Sequence, residues 1–168
     1  MDDFGVRATA CIPRLRRYAR ALTGDTREAD DLVQDTLERA LVKRHLWREG
    51  SDLRAWMFTI MHNVFVNQVR SRASESRLRE EGEPDVETPD RALDLLNIGD
   101  MDAALRKLPV DQREVLLLVA LEDMSYLEAA CALDIPVGTV MSRLFRARER
   151  LRVLMGHETA ANVLKVVK

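Results

Sequence analysis

The sequence predicts an all-α protein of two small helical domains joined by a flexible acidic linker. Three observations carry this. Leu, Ala, Arg and Glu are abundant while aromatics make up only 5% of the 168 residues, a composition of good helix formers. Apolar residues recur every three or four positions along both halves of the chain. Between the halves, Ser74 to about Pro89 reads SESRLREEGEPDVETP, a stretch with little to bury and therefore a connection rather than a core element. The boundaries fall at 1–73, 74–98 and 99–168, and each domain alone buries a modest fraction of its surface.

In the first domain, Ile12, Leu15, Tyr18 and Leu22 form an apolar stripe ended by Gly24. Asp25 and Glu28 make a capping pattern for a second helix with Ala29, Leu32, Val33, Leu37 and Leu41 along one side. Its other side carries Asp30, Asp31, Gln34, Asp35, Glu38 and Arg39. Such an acidic face is either simply solvated or a docking surface for a basic protein, and it repels DNA. After a break at Glu49-Gly50-Ser51, a third helix is expected from about Asp52 to Arg72. It has two apolar faces, Leu53/Met57/Ile60/Val64 and Phe58/Phe65/Val69. Between them runs a stripe of Trp56, Thr59, Asn63, Asn67 and Arg70. A ring, a hydroxyl, two amides and a guanidinium in one row suit base stacking, base-edge hydrogen bonds and phosphate. Trp56 taken alone suits core packing better than a stacking role. Two asparagines inside a helix cost stability relative to better helix formers, which favours a binding role for them.

The second domain opens with Met101–Leu108, stops at Pro109 and resumes behind a capping pattern of Asp111 and Glu114. Then comes SYLEAACALDIPVGTVMSRLFRARERLR, Ser125–Arg152. Ser125 and Glu128 form a capping box, with Leu127, Ala130 and Cys131 at helical spacing. Asp134-Ile135-Pro136 ends that helix, because a residue before proline leaves the α region. From Val137 a second helix places Val137, Val140, Leu144, Ala147 and Leu151 on one face. The opposite face presents Thr139, Ser142, Phe145 and Arg146, with Arg143 at its edge. Arg148 falls near the apolar side and is expected to pair internally. Gly138 leaves bare backbone where a phosphate or a helix could approach. This is a helix-turn-helix pattern. Phenylalanine beside arginines on a polar face suits a thymine methyl next to guanine or phosphate.

Net charge is only −2, but its distribution is informative. Residues 1–73 carry 13 basic and 10 acidic groups, 74–100 carry 3 and 9, and 137–168 carry 7 and 2. Positive charge gathers on the second helix of the pair and negative charge in the linker. No stretch is long enough to span a membrane and no signal peptide opens the chain. Cys11 and Cys131 read as reduced thiols, Cys131 as a small buried apolar side chain. His45, His62 and His157 are scattered, so no metal or other cofactor is indicated. No nucleophile–base pair or phosphate-cradling glycine loop is present, which points to binding rather than catalysis.

The order of these pieces resembles the extracytoplasmic-function (ECF, group 4) sigma factors of bacterial RNA polymerase, from about Ile12 to Met155. EADDLVQDTLERAL looks like the family's core-binding helix, DLRAWMFTIMHNVFVNQVRSR like the helix that reads the −10 element, and Leu108–Arg152 like the domain that reads the −35 element. The resemblance implies that Asp30, Asp31, Leu32, Gln34 and Asp35 dock on the β′ clamp helices. The second domain would meet the β flap. It implies that Gly50, Ser51, Asp52 and Leu53 receive an extruded base, while Trp56, Asn63, Asn67 and Arg70 contact the −10 strand. Thr139, Ser142, Arg143, Phe145 and Arg146 would face the −35 major groove. The acidic linker would thread a basic polymerase channel as a mimic of RNA phosphate. A cytoplasmic location and an anti-sigma factor, often membrane-tethered, are also implied. Met141 stands where many relatives carry Lys or Arg. The rival reading is a free-standing helix-turn-helix regulator, which needs a dimer face or ligand pocket that the sequence does not offer.

Overall fold

The computed structural model describes residues 3–79 and 98–156. Most of the acidic linker (80–97) and the tail from His157 lie outside the described residues. All regular structure among the described residues is helical. Helices α1 (Asp3–Thr23), α2 (Thr26–Lys43) and α3 (Leu53–Arg79) form the first half, with a 3-10 turn at Arg44–Leu46. Helices α4 (Ile98–Lys107), α5 (Val110–Leu116), α6 (Tyr126–Leu133) and α7 (Val137–Met155) form the second.

Helix α1 begins well before Ile12 and buries Phe4 and Ala8 as well as Leu15, Tyr18, Ala19 and Leu22. It tolerates Pro13 in its interior, where the ring removes one backbone donor. Gly24 ends the helix with φ +69°, the left-handed C′ position glycine fills without strain. Asp25 caps α2 by accepting the Glu28 N–H at 3.0 Å. The buried side of α2 is Ala29, Leu32, Val33, Thr36 and Ala40. Leu41, expected on that side, is 55% exposed, because the buried face rotates through Thr36 and Ala40. The Thr36 hydroxyl donates to the Leu32 carbonyl at 2.7 Å, which makes its burial tolerable.

Helix α3 buries Leu53, Met57, Phe58, Ile60, Met61, Val64 and Phe65. Its two apolar faces have two neighbours, since it packs against α2 on one side and α6 on the other. Val69, expected on the second apolar face, is exposed. The helix continues to Arg79, so Ser74–Arg79, assigned to the linker on composition, is helical.

In the second half, α5 is preceded by Pro109 without a side-chain cap. The capping pattern expected there is absent: Asp111 accepts from the Gln112 N–H at 2.9 Å, and the buried Glu114 instead meets His62 at 3.0 Å. Helix α5 runs into a π-helical turn, Leu117–Leu121, which no local sequence pattern announces. Ser125 caps α6 by accepting the Glu128 N–H at 3.1 Å. The reciprocal half of that capping box is replaced by a pairing of the Glu128 carboxylate with Arg54 at 3.8 Å. The core side of α6 is Ala129, Ala130, Ala132 and Leu133, so Leu127 and Cys131 are exposed rather than buried. The turn to α7 places Asp134 in the left-handed region at φ +53°, which aspartate accepts more readily than most residues. Val140, Leu144, Ala147 and Leu151 then bury one face of α7, leaving Val137 partly open.

The halves pack together. Helix α3 lies on α6, and α1 touches α4, α5 and the π turn, so one continuous apolar cluster spans both. Arg113 ties helix ends across this seam. Its guanidinium donates to the carbonyls of Leu105, Arg106 and Leu108, and to Leu22 at the end of α1. A cation at helix C-termini complements both the dipole and the unpaired carbonyls. Burial, with Arg106 nearby, lowers the Arg113 pKa from its ordinary value.

Candidate nucleic-acid and polymerase interfaces

Four surfaces were expected to bind, and the structure treats their residues unequally. On α3, Asn63, Asn67 and Arg70 are exposed along one row. Among the described residues their polar groups make no hydrogen bond or ion pair. The asparagines do not bond neighbouring backbone, so the row's donors and acceptors are open to solvent. Thr59 behaves differently, donating its hydroxyl to the Ala55 carbonyl at 3.1 Å. Trp56 is half-buried and meets Phe4 edge-on, with ring centroids 6.1 Å apart. It packs against the core at the head of the row, as its size alone suggests.

At the N-terminus of α3, Gly50 adopts φ +90° and has open space around it. The Ser51 hydroxyl donates to the Arg48 carbonyl at 2.6 Å, and Asp52 accepts the Ala55 N–H at 3.3 Å. Leu53 is buried. It anchors the helix under the loop, and a direct contact with an outside group, expected for it, is blocked by that packing. Leu32 on α2 is corrected for the same reason: it is fully buried and supports the acidic face from beneath. Asp30, Asp31, Gln34 and Asp35 are exposed. Gln34 donates to Glu38 at 3.2 Å and Gln68 of α3 donates to Asp35 at 2.7 Å. The groove between the two helices is about 570 Å³ and is lined by Asp35, Glu38, Val42, Asn67 and Gln68.

On α7, Ser142, Phe145 and Arg146 are exposed, and Phe145 keeps 66% of its surface open. An aromatic ring left in solvent beside a free guanidinium is not explained by packing. Thr139 is half-buried. Arg143 lies 3.6 Å from Asp111 of α5, so part of its charge turns inward. Gly138 has open space around it, which leaves the start of α7 accessible. Arg148 is half-buried but makes no ion pair among the described residues; the stem packs, and the internal partner expected for it is absent.

The two halves match two family descriptions, "Sigma2 domain of PhyR" over residues 8–62 and "Sigma-70, region 4" over residues 98–151. Over 147 residues the chain is 40% identical to the ECF RNA polymerase sigma factor EcfG of Rhodopseudomonas palustris, spanning 87% of this chain and 81% of that relative. The chain belongs to the ECF sigma factors. A second relative, the ECF RNA polymerase sigma factor SigL of Mycobacterium tuberculosis, is 36% identical over 84% of this sigma factor and 82% of its own length. The solved structure of the sigma factor RpoE in complex with the anti-sigma factor NepR from Bartonella quintana aligns with a TM-score of 0.81 at 35% identity. That alignment covers 94% of this chain and 99% of that one. These relatives are initiation factors rather than enzymes, and so is this sigma factor.

Sequence reasoning missed the polar residues between the halves. Glu114, Glu122, Arg17, Arg54 and His62 look like ordinary surface charges when read locally. Burial of Glu114 and Glu122 is the only sign of their role, and burial was not legible from spacing. Burial, then the nearby Asp52, pushes the Cys11 thiol above its ordinary value, which disfavours the reactive thiolate. No helix among the described residues is long and apolar enough to cross a membrane.

Proposed function

We propose that this sigma factor docks on core polymerase through the exposed acidic side chains Asp30, Asp31, Gln34 and Asp35 of α2. Asn63, Asn67 and Arg70 then hold the −10 strand, and Ser142, Phe145 and Arg146 read the −35 major groove, with Thr139 and Arg143 at the margin. The observation that carries this is the row Asn63–Asn67–Arg70, exposed and without partners among the described residues. Around Gly50, Ser51 and Asp52 the loop takes an extruded base, whose binding offsets an unstacking cost of a few kcal/mol. The linker mimics RNA phosphate in the polymerase channel, and the second half meets the β flap. The polymerase performs all the chemistry.

An anti-sigma factor controls this protein in the cytoplasm or at the membrane face. The solved relatives support that reading, RpoE in complex with NepR and CnrH in complex with the cytosolic domain of CnrY. Run-off transcription with purified core polymerase tests the function. Core plus this chain yields a promoter-specific transcript, and the Asn63→Ala/Asn67→Ala variant does not. A free-standing regulator yields none in either case.

A further inference from the structure

Helix α3 is longer than the −10 contacts proposed for it require. Composition assigns the residues from Ser74 onward to the linker, yet the helix runs on to Arg79. Positions spaced four, three, four and three apart keep to one side of a helix. Asn63, Asn67, Arg70, Ser74 and Arg77 follow that spacing, within an arc of about 80° at about 100° per residue. Ser74 and Arg77 therefore continue the row of the two asparagines and Arg70 in register. All of residues 69–78 are exposed, so no part of the core accounts for what this stretch presents.

The charges along the stretch are sorted by face. Arg72 stands about half a turn from the row and lies 3.2 Å from Glu28 of α2, so its charge is taken up within the protein. Glu75 stands about a third of a turn from the row, too far round to neutralise it. The guanidiniums of Arg70 and Arg77 and the Ser74 hydroxyl make no hydrogen bond or ion pair among the described residues. The residue types also change along the row. Amides at its front suit base edges, whereas a hydroxyl and a guanidinium at its end suit phosphate oxygens.

Length and direction say which phosphates. At about 1.5 Å per residue, Asn63 to Arg70 spans about 10 Å and Asn63 to Arg77 about 21 Å. The added length matches about three base pairs at about 3.4 Å each. The loop proposed to take the extruded base lies at the N-terminal end of α3. The C-terminal end leads into the half that reads the −35 element, which lies upstream. Resting on the −10 reading of Asn63, Asn67 and Arg70, we infer that Ser74 and Arg77 extend the row onto duplex DNA and hold the backbone phosphates immediately upstream of the −10 element. Arg77 supplies the charge and Ser74 a hydroxyl donor. This grip is blind to sequence, because phosphate is the same at every pair, and it sets the register in which the asparagines meet the strand.

The test uses core polymerase with the full-length chain, as wild type, Arg77→Gln or Arg72→Gln, on a promoter with intact −10 and −35 elements. Affinity is measured from about 50 to about 200 mM salt. Arg77→Gln is expected to bind several-fold more weakly at low salt and to lower the slope of log affinity against log salt by about 0.9, one phosphate contact. Strong and weak −10 sequences lose alike. Arg72→Gln removes the same charge from the back of the helix and leaves the slope unchanged. Neutral methylphosphonates in place of the phosphates just upstream of the −10 element weaken the wild type several-fold and Arg77→Gln no further. The wild-type half of that comparison needs no variant to fold. An unchanged slope for Arg77→Gln, an equal loss for Arg72→Gln, or additive losses from Arg77→Gln and the neutral linkages overturns the upstream grip alone. Undiminished transcription with Asn63→Ala/Asn67→Ala overturns the −10 reading beneath it.

Discussion

Helices α3 and α7 both carry polar rows suited to nucleic acid, but they are built differently. Helix α7 buries one face, through Val140, Leu144, Ala147 and Leu151, and gives the rest to solvent. Helix α3 buries residues on two sides as far as Phe65, with the exposed Asn63 between them, and the row continues through Asn67 and Arg70 onto a second half that is open to solvent. A row between two packed faces has little freedom to move, so it suits strand contacts that must be held in fixed geometry. An open face can adapt to a duplex groove. On the proposed function, the two helices divide the work into a held grip and a tolerant reader.

The largest effect is expected on α3. Asn63→Ala together with Asn67→Ala removes two base-edge contacts at about 1–3 kcal/mol each, so promoter opening falls about a hundredfold or more. Thermal unfolding barely moves, because neither amide is bonded within the described chain. Permanganate footprinting and a melting curve read the two halves of that statement. Next, Arg146→Ala lowers −35-dependent binding by about tenfold or more, the lower end of a base contact's worth. Arg143→Ala has a smaller effect because Asp111 already holds part of its charge. Competition between promoters with intact and scrambled −35 elements ranks the two, and an equal loss would mean that Asp111 does not restrain Arg143.

Met141→Arg adds a cation to an exposed position on α7. It strengthens promoter binding by the complex several-fold at low salt and steepens the salt dependence by about one phosphate contact. The smallest effect is on pH. Glu122 has its pKa raised from the ordinary 4.5 by burial, so the folded form binds this proton more tightly than the unfolded chain does. The contribution to stability is full below pH 4.5 and is lost as pH rises through the raised value. Glu122→Gln flattens that part of the stability curve, as urea titrations across the window would show.

Much of this was readable locally. Asp25 and Ser125 signalled their caps, the apolar face of α7 followed from a period of 3.6, and the asparagine row followed from the cost of asparagine in a helix. Contacts far apart in sequence were not readable. Arg17 and Glu122 are 105 positions apart, and nothing near either residue announces the pairing. Leu32 and Leu53 were named with their neighbours because a motif groups residues by sequence, whereas burial separates them by face. Cys131 was misplaced because α6 is short, eight residues, and a stripe over two turns leaves its phase ambiguous.

On the proposed function, one chain reads two promoter elements at once through α3 and α7. Inserting about five base pairs between the elements, half a helical turn, turns one element to the opposite side of the duplex while leaving both sequences intact. With core polymerase and this sigma factor, transcription from such a promoter is predicted to collapse, and about ten inserted pairs should not restore it because the span is then too long. Undiminished transcription from the half-turn promoter would contradict a joint grip and reduce the two helices to independent contacts.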